Sequence, residues 1–214
     1  QIEILTAAAP ASLAEAVGRG GALLVKSKAH VTAKIIEAAC KLKVIGRASQ
    51  NYDHIDLRAA GRKNIRVVYS PHVAVSSVAE FTLGLILDLA RKITFFDRAV
   101  RDGKFDSIRA ASGRELSRLT VGILGVDPVS ERLGKMISAA FGNTLICHDP
   151  ENDTPRHFSA RIVSLDELLA EADIVSVHLP LTPLTRGILN AERISRLKST
   201  AMLVNTSRGA LIDT

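Results

Sequence analysis

A turn glycine and a distant aspartate are the first residues in this chain whose spacing suits a defined chemistry. Gly125 follows the apolar run 120–124, and Asp149 follows a second apolar run, 24 residues after Gly125. In folds that bind dinucleotides, the first loop glycine permits a tight turn, and an acid after the second strand accepts hydrogen bonds from ribose hydroxyls. A carboxylate there also repels a 2′-phosphate, so the spacing predicts NAD and not NADP. The alternative is that Asp149 is only a turn residue before Pro150.

The glycine loop itself departs from the G-x-G-x-x-G pattern of such folds. It reads Gly125-Val-Asp127-Pro128-Val-Ser130, so only the first of the three glycines is present. Asp127 and Pro128 suit the start of a helix, as the N-cap and the first-turn proline. The Asp127 carboxylate would then lie where a helix start normally binds a pyrophosphate. Two like unit charges ~4 Å apart repel by about 1 kcal/mol in water and by more where solvent screens them less, so we expect dinucleotide binding to weaken by about tenfold or more.

Strand-like and helix-like patterns alternate along the chain and must position these residues. Short apolar runs bounded by glycine, proline or charged residues predict strands at 22–25, 44–46, 67–69, 120–125, 144–147, 174–179 and 201–206. Apolar residues recurring at helical spacing predict helices at 31–39, 56–62, 76–101, 129–141, 165–172 and 190–197. This alternation is typical of parallel sheets covered by helices on both faces. The predicted fold class is therefore α/β, with two parallel-sheet domains.

A polar, glycine-containing stretch after the long predicted helix separates the two domains. We predict a first domain with its long helix over 1–101, a linker over 102–119, and a second domain over 120–214.

Composition narrows the function classes further. Apolar residues make up 47% of the 214 residues and aromatic residues 4%, without tryptophan, which predicts an aliphatic core. The net charge of +6 comes from scattered Lys and Arg residues, so we expect no nucleic-acid partner. Two cysteines, Cys40 and Cys147, cannot form a disulfide scaffold or a four-ligand zinc site, so we expect no metal and a reducing compartment. No apolar run approaches the ~20 residues of a membrane helix, so we expect a cytoplasmic protein with no membrane partner.

Five segments, in fixed order, carry a more specific pattern across nearly the whole chain. They are Lys43-Val-Ile-Gly-Arg-Ala48, Tyr52-Asp-His-Ile-Asp56, the helix start at 77–87, Val177-His-Leu-Pro-Leu-Thr-Pro-Leu-Thr-Arg-Gly187 and Asn205-Thr-Ser-Arg-Gly-Ala-Leu-Ile-Asp213. With these segments the chain resembles the D-isomer-specific 2-hydroxyacid dehydrogenase family, close to its phosphoglycerate dehydrogenase branch. The resemblance implies a flavodoxin-like substrate domain and a Rossmann NAD-binding domain. In this alignment residues 1–5 match the family's second strand, so both domains are expected to be incomplete in this chain, with the strand at 201–206 at an open sheet edge. It also implies hydride transfer between NAD and a D-2-hydroxy acid or its 2-keto partner.

The resemblance also assigns roles to single residues. Arg208 aligns with the family arginine that pairs with the carboxylate and carbonyl of the substrate, a task that suits a guanidinium fork; the alternative is a surface arginine at a helix start. The long helix from Ser76 resembles the family's hinge and dimer-forming region, which implies a homodimer. His178 is expected to be structural. The residues expected to bind the cofactor are Gly125, Pro128, Val129, Asp149, Leu179, Pro180, Thr185, Thr206 and Ser207.

Two further departures from the family pattern bear on the substrate and on catalysis. The substrate loop of the family carries glycines whose backbone amides hold the substrate carboxylate, whereas this chain has Ser49, Gln50 and Asn51. These three polar residues are the expected substrate-binding residues, and the substrate is expected to differ from the usual one. Members also carry a glutamate and then a histidine as the acid/base pair, and we expect that pair, if present, beyond Thr214.

These observations leave two hypotheses of different kinds. The first is an NAD-dependent 2-hydroxyacid dehydrogenase, supported by the five segments, Asp149 and Arg208. The second is a family member that has lost catalysis and acts as a binding or regulatory scaffold, supported by Asp127, Ser130 and the filled substrate loop. Measured binding of NAD separates the two.

Overall fold

A computed structural model describes residues 10–26, 29–49, 52, 54–70, 72–150 and 158–213. Two compact units divide between Ala74 and Val75, and both contain a wholly parallel sheet. The chain is therefore α/β with two parallel sheets, as the sequence predicts. The expected strand alignment at 1–5 and the substrate-loop residues Gln50 and Asn51 lie outside the described residues.

The first unit is built from alternating helices and strands. Its three strands pair in the order β1-β2-β3. Its core is aliphatic, as predicted: Ile36 and Ile45 are fully buried, together with Val31 from the loop before the second helix. The Asp56 carboxylate caps α3 by accepting the Ala59 N–H at 2.8 Å. The elements are α1 Pro10–Arg19, β1 Ala22–Val25, α2 Ala33–Ala38, β2 Val44–Arg47, α3 Leu57–Arg62 and β3 Arg66–Tyr69.

The second unit contains a five-stranded parallel sheet with the order β6-β5-β4-β7-β8. Numbered from its own first strand, this is the order 3-2-1-4-5 of a doubly wound dinucleotide-binding fold. The elements are α4 Val75–Arg91, α5 Ile93–Arg101, α6 Phe105–Ala110, β4 Val121–Leu124, α7 Pro128–Phe141, β5 Leu145–His148, β6 Arg161–Ile162, α8 Leu165–Glu171, β7 Ile174–Val177, α9 Ala191–Ser195 and β8 Met202–Asn205.

Within the described residues, the strand at one edge of this sheet was predicted from the sequence and the strand at the other edge was not. The strand β8 lies at one edge and pairs with β7, as expected for the run 201–206. The other edge is formed by β6, which pairs with β5 through two residues and was not predicted. Two exposed residues of one strand carry no apolar pattern, so the sequence offers no signal for it.

The prediction of one continuous helix at 76–101 is wrong, because the structure has two helices there, α4 and α5. Lys92 between them has a left-handed backbone conformation with φ 55° and ψ 38°. The Asp88 carboxylate accepts the Thr94 N–H at 2.6 Å and its hydroxyl at 2.8 Å, and so takes the place of the helical hydrogen bonds at the start of α5. These hydrogen bonds hold the pKa of Asp88 below its usual value.

The segment 102–119, expected as a linker, contains α6 and a further turn at Leu116–Arg118. Leu116 and Leu119 are buried with Ile86 in one apolar cluster of the second unit. The side-chain amide of Asn143 donates hydrogen bonds to both of their carbonyl oxygens, at 2.8 Å to Leu119. The two compact units divide between residues 74 and 75, whereas the sequence placed the linker at 102–119. In the part of the chain that the structure describes, no helix is both long and apolar enough to span a membrane.

Candidate functional site

Four strand ends of the second unit lie at one edge of its sheet, because all its strands are parallel. The residues expected to bind the cofactor follow β4, β5, β7 and β8. Backbone hydrogen bonds join these ends directly: the Gly125 N–H donates to His148 O at 2.8 Å, and the His178 N–H donates to Leu124 O at 2.7 Å. In open α/β sheets this edge is where ligands bind.

Gly125 makes the turn that leaves β4. Its φ of 94° lies in the region that favours glycine. A Cβ at this position would lie 2.6 Å from Leu179 N, so the backbone after β7 approaches too closely for any side chain. The glycine thus serves both the turn and the close packing of two strand ends.

Asp149 lies after the end of β5, beside the same turn. Its Oδ2 accepts the Val126 N–H at 2.8 Å. The carboxylate is therefore held against the glycine loop.

The first turn of α7 is closed by its own side chains. Asp127 is the N-cap, and its Oδ1 accepts the Ser130 N–H at 2.7 Å, while Ser130 Oγ accepts the Asp127 N–H at 2.8 Å. Pro128 begins the helix and Val129 is buried. The cap predicted from the pair Asp127-Pro128 is confirmed. Burial raises the pKa of Asp127, and the hydrogen bonds from Ser130 offset part of that rise.

His178 is buried beside this cap. Its Nε2 lies 2.8 Å from Ser176 Oγ, and its Nδ1 lies 3.9 Å from Asp127 Oδ1. Burial lowers the pKa of His178 to about 4, so the ring is neutral at neutral pH and does not form an ion pair with Asp127. The proximity of His178 to Asp127 was not predicted, because it depends on the register between β4 and β7.

The loop after β7 is held by Thr185. Its Oγ1 donates to Pro180 O at 2.6 Å and accepts the Thr182 N–H at 2.8 Å, and the residue is fully buried. Leu179 is also fully buried. Thr185 therefore shapes the loop, and the Pro180 carbonyl is already used within it.

The turn after β8 joins the same network. Ser207 Oγ donates to Leu179 O at 2.6 Å, and Thr206 Oγ1 lies 2.9 Å from Thr82 Oγ1 on α4. Asn205, which the sequence did not single out, accepts the Ser207 N–H at 3.0 Å and donates to Arg208 O at 2.9 Å. Its amide fixes the backbone of the turn that carries Arg208. Arg208 itself is half-buried.

In the first unit, the structure describes only Ser49 among the expected substrate-binding residues. Ser49 Oγ accepts a hydrogen bond from Arg47 Nε at 2.7 Å, and Ser49 O accepts the Ser70 N–H at 3.2 Å. Arg47 is buried at the end of β2. The Ser49 side chain is therefore held at the carboxyl end of the sheet of that unit.

Comparison with known proteins decides the family. The sequence profile of the D-isomer specific 2-hydroxyacid dehydrogenase NAD binding domain matches residues 83–214. The chain belongs to this family. A hydroxypyruvate reductase from Thermotoga maritima is 40% identical over 89% of this chain and 61% of its own length. A D-3-phosphoglycerate dehydrogenase from Methanocaldococcus jannaschii is 38% identical over 100% of this chain and 41% of its own length.

Solved structures give the same result. A D-lactate dehydrogenase from Aquifex aeolicus, complexed with NAD and lactic acid, matches with a TM-score of 0.85 and 32% identity over 94% of this chain and 60% of that one. The chain thus spans less than two thirds of the length of each of these three proteins.

Two residues of the second unit, Gly125 and Asp149, fit NAD, the cofactor of this family's domain. The Gly125 turn leaves no room for a Cβ, and the Asp149 carboxylate lies beside it, as a dinucleotide requires. Asp127 does not fit, because its carboxylate lies at the helix start where the family's domain would accept a pyrophosphate. Among the described residues, no cluster of three or more His, Cys, Asp or Glu side chains is arranged to hold a metal ion.

Proposed function

We propose that the protein is an NAD-dependent oxidoreductase that transfers hydride between NAD and a D-2-hydroxy acid or its 2-keto partner. The observation that carries this proposal is the convergence, at one sheet edge, of the Gly125 turn, the Asp149 carboxylate and the turn that bears Arg208. The three protein matches named above act, by their names, on hydroxypyruvate, D-3-phosphoglycerate and D-lactate. All three are small 2-hydroxy or 2-keto acids, and the same class is proposed here.

The proposed cofactor contacts divide into side-chain and backbone groups. Asp149 would accept hydrogen bonds from the ribose hydroxyls, which favours NAD over NADP. NAD, when bound, supplies the atom that accepts or donates the hydride. The residues proposed to line it mainly through their backbone are Gly125, Pro128, Val129, Leu179, Pro180, Thr185, Thr206 and Ser207.

Arg208 is the proposed substrate-binding and catalytic residue. A guanidinium offers a planar fork of donors that matches a carboxylate. Its turn is fixed by Asn205 and by the hydrogen bond from Ser207 Oγ to Leu179 O, so the position of its backbone is set by β7 and β8 together. Ser49, Gln50 and Asn51 are proposed to contact the substrate as well, in place of the family's glycines.

The domain roles, the assembly and the compartment are also proposals. Residues 1–101 would form the substrate domain with its long helix, 102–119 the linker, and 120–214 the NAD-binding domain. A homodimer is supported by apolar side chains of α4, α5 and α6 that lie exposed: Phe81, Leu89, Ile93, Phe95, Val100 and Phe105. A reducing cytoplasm is supported by the two cysteines, Cys40 and Cys147, which are not joined in a disulfide.

The test combines binding with turnover in the full-length protein. NADH is titrated by its fluorescence, and its consumption is then followed with pyruvate, glyoxylate, hydroxypyruvate and phosphohydroxypyruvate. We expect saturable NADH binding and consumption with at least one of these acids. Saturable binding without consumption of NADH with any of them would favour the scaffold hypothesis. No binding at millimolar NADH would contradict the proposed oxidoreductase and would also favour the scaffold.

A further inference from the structure

The start of α7 satisfies its own amide donors, which is unusual for a helix that faces a dinucleotide. The Asp127 carboxylate accepts the Ser130 N–H, and the Ser130 hydroxyl in turn accepts the Asp127 N–H. In the doubly wound fold these first-turn amides are the groups that bind a pyrophosphate. The protein thus carries its own negative charge at the position of the ligand's charge.

No positive charge on the described residues balances this carboxylate. The ion pairs among those residues include none between Asp127 and a lysine or arginine. The titratable groups around it are His178 from the end of β7, Glu131 on the next turn of α7, and Asp149, whose carboxylate binds the neighbouring Val126 N–H. The histidine is neutral at neutral pH and the two other groups are carboxyl groups, so none of the three supplies a positive charge.

We propose that Asp127 couples dinucleotide binding to the uptake of a proton. In this proposal, which rests on the proposed function, the protein binds the pyrophosphate with Asp127 as a neutral carboxylic acid, and the proton comes from solvent. The Asp127 side chain is 37% exposed, so solvent can deliver this proton to its carboxylate. Burial of the rest of the side chain already raises the pKa of Asp127 in the ligand-free protein, which makes its protonation easier. A bound pyrophosphate raises it further, since like charges disfavour ionisation.

A defined pH dependence follows from this coupling. Between the pKa of Asp127 in the ligand-free protein and its higher pKa in the complex, the dissociation constant of NAD rises by up to tenfold per pH unit. Above the higher pKa, the affinity is low and constant. Replacing the carboxylate by an amide removes the charge and the proton, and therefore removes this dependence.

Calorimetric titration of the full-length protein with NAD tests the proposal. Titrations from about pH 5.5 to about pH 8, each in two buffers of different ionisation enthalpy, give the affinity and the number of protons taken up. We expect the wild-type protein to take up protons on binding, at most one per NAD, and to bind NAD more weakly as pH rises. Asp127→Asn should bind NAD about tenfold or more tightly than wild type at the upper pH, without proton uptake.

The matched control is Glu167→Gln. Glu167 belongs to the capping box of α8, where it accepts the Ser164 N–H at 2.8 Å, and hydrogen bonds from Ser164 lower the pKa of Glu167. We expect this variant to keep the wild-type affinity, pH dependence and proton uptake. The wild-type titrations decide the question alone if Asp127→Asn does not fold.

Three outcomes overturn the inference. If the wild-type protein binds NAD with the same affinity at every pH and takes up no proton, the Asp127 carboxylate stays ionised in the complex. Unchanged or weaker binding by a folded Asp127→Asn shows that its charge does not oppose the ligand. Absence of binding by wild type and variant at every pH overturns the proposed function as well, whereas the first two outcomes leave it intact.

Discussion

At the residue scale, the turn after β8 concentrates the proposed chemistry in Arg208. Arg208→Gln removes the guanidinium fork but keeps a side chain that fits the same turn. Hydrogen bonds to charged groups are worth about 1.5–3 kcal/mol, so we expect kcat/KM for the 2-keto acid to fall by about tenfold to a hundredfold. NADH binding should not change, because Arg208 is proposed to contact the substrate. Steady-state kinetics and NADH fluorescence measure the two effects separately.

Arg196→Gln is the control for this prediction. Arg196 forms ion pairs with Asp166 and Glu192 on the surface of the second unit. We expect its kcat/KM to equal that of the wild type. Equal losses in both variants, or a loss of NADH binding in Arg208→Gln, would contradict the role proposed for Arg208.

The buried ring of His178 predicts a dependence of stability on pH. Its pKa is about 4 in the folded protein and 6.5 when exposed, so the unfolded chain takes up the proton first as pH falls. The stability from the neutral ring is full above about pH 6.5 and decreases towards pH 4, by about 3 kcal/mol in all. Urea unfolding should show a weaker decrease over this window for His178→Asn than for wild type. Equal slopes for the two proteins would contradict the burial of a neutral His178.

In the candidate site, features set by neighbouring residues were predictable from the sequence, and features set by the folded sheet were not. The cap at Asp127 was predictable because the N-cap and the first-turn proline are adjacent residues that follow local rules. The neighbourhood of His178 and Asp127 was not, because 51 residues separate them along the chain and β4 pairs with β7 only in the folded sheet. Asn205 was missed for a related reason: its amide acts on the backbone of its own turn, which requires the turn geometry.

At the element scale, the turn between β4 and α7 depends on Gly125. Gly125→Ala places a Cβ 2.6 Å from Leu179 N and forces a side chain into a backbone conformation with φ 94°. Strained backbone of this kind costs about 1–3 kcal/mol, and the close contact adds to it, so we expect a loss of about 3 kcal/mol or more in the free energy of unfolding. Urea unfolding of the purified variant measures this loss.

Gly142 provides a matched comparison at the other end of the same helix. It also has positive φ, 65°, but an added Cβ would meet nothing within 4 Å. Gly142→Ala should therefore cost only the backbone strain, about 1 kcal/mol. A loss in Gly125→Ala no larger than that in Gly142→Ala would contradict the close approach of the two strand ends.

The strands were easier to predict than the helix boundaries. Each predicted strand corresponds to an observed one within two residues at either end, because each is a short apolar run bounded by glycine, proline or polar residues. The long helix was predicted as one element because apolar periodicity continues across Lys92. The break depends on two hydrogen bonds from Thr94 to Asp88, which a periodicity cannot reveal.

At the scale of the whole molecule, the exposed apolar side chains of α4, α5 and α6 predict self-association. Phe81 and Phe95 have 63% and 45% of their surface exposed, although aromatic side chains are usually buried. Phe81→Glu should place a charge in the proposed homodimer interface and shift the full-length protein towards monomer. Analytical ultracentrifugation over a range of protein concentrations measures the shift in the dissociation constant.

Leu184→Glu is the control for the assembly. Leu184 is 82% exposed on the loop after β7, away from these three helices in sequence. We expect this variant to keep the dissociation constant of the wild type. A wild-type protein that sediments as a monomer throughout, or a Phe81→Glu variant that remains dimeric, would contradict the homodimer.

The division of the chain into units was the least predictable feature at this scale. Polarity and glycine content placed a linker at 102–119, yet Leu116 and Leu119 pack into the core of the second unit. The α4 residues Ala79 and Ile86 share that core with Leu133 on α7. Which apolar cluster a helix joins is a tertiary property, and neither composition nor periodicity encodes it.

The most direct test of the proposed reaction follows the transferred hydride itself. Full-length protein in excess is mixed with a 2-keto acid and NADH carrying deuterium at the hydride-donating carbon, and the product is analysed by mass spectrometry and chiral chromatography. A D-2-hydroxy acid with one deuterium on its second carbon is the predicted result. Unreacted keto acid with each substrate tried, or a product of L configuration, would contradict the account.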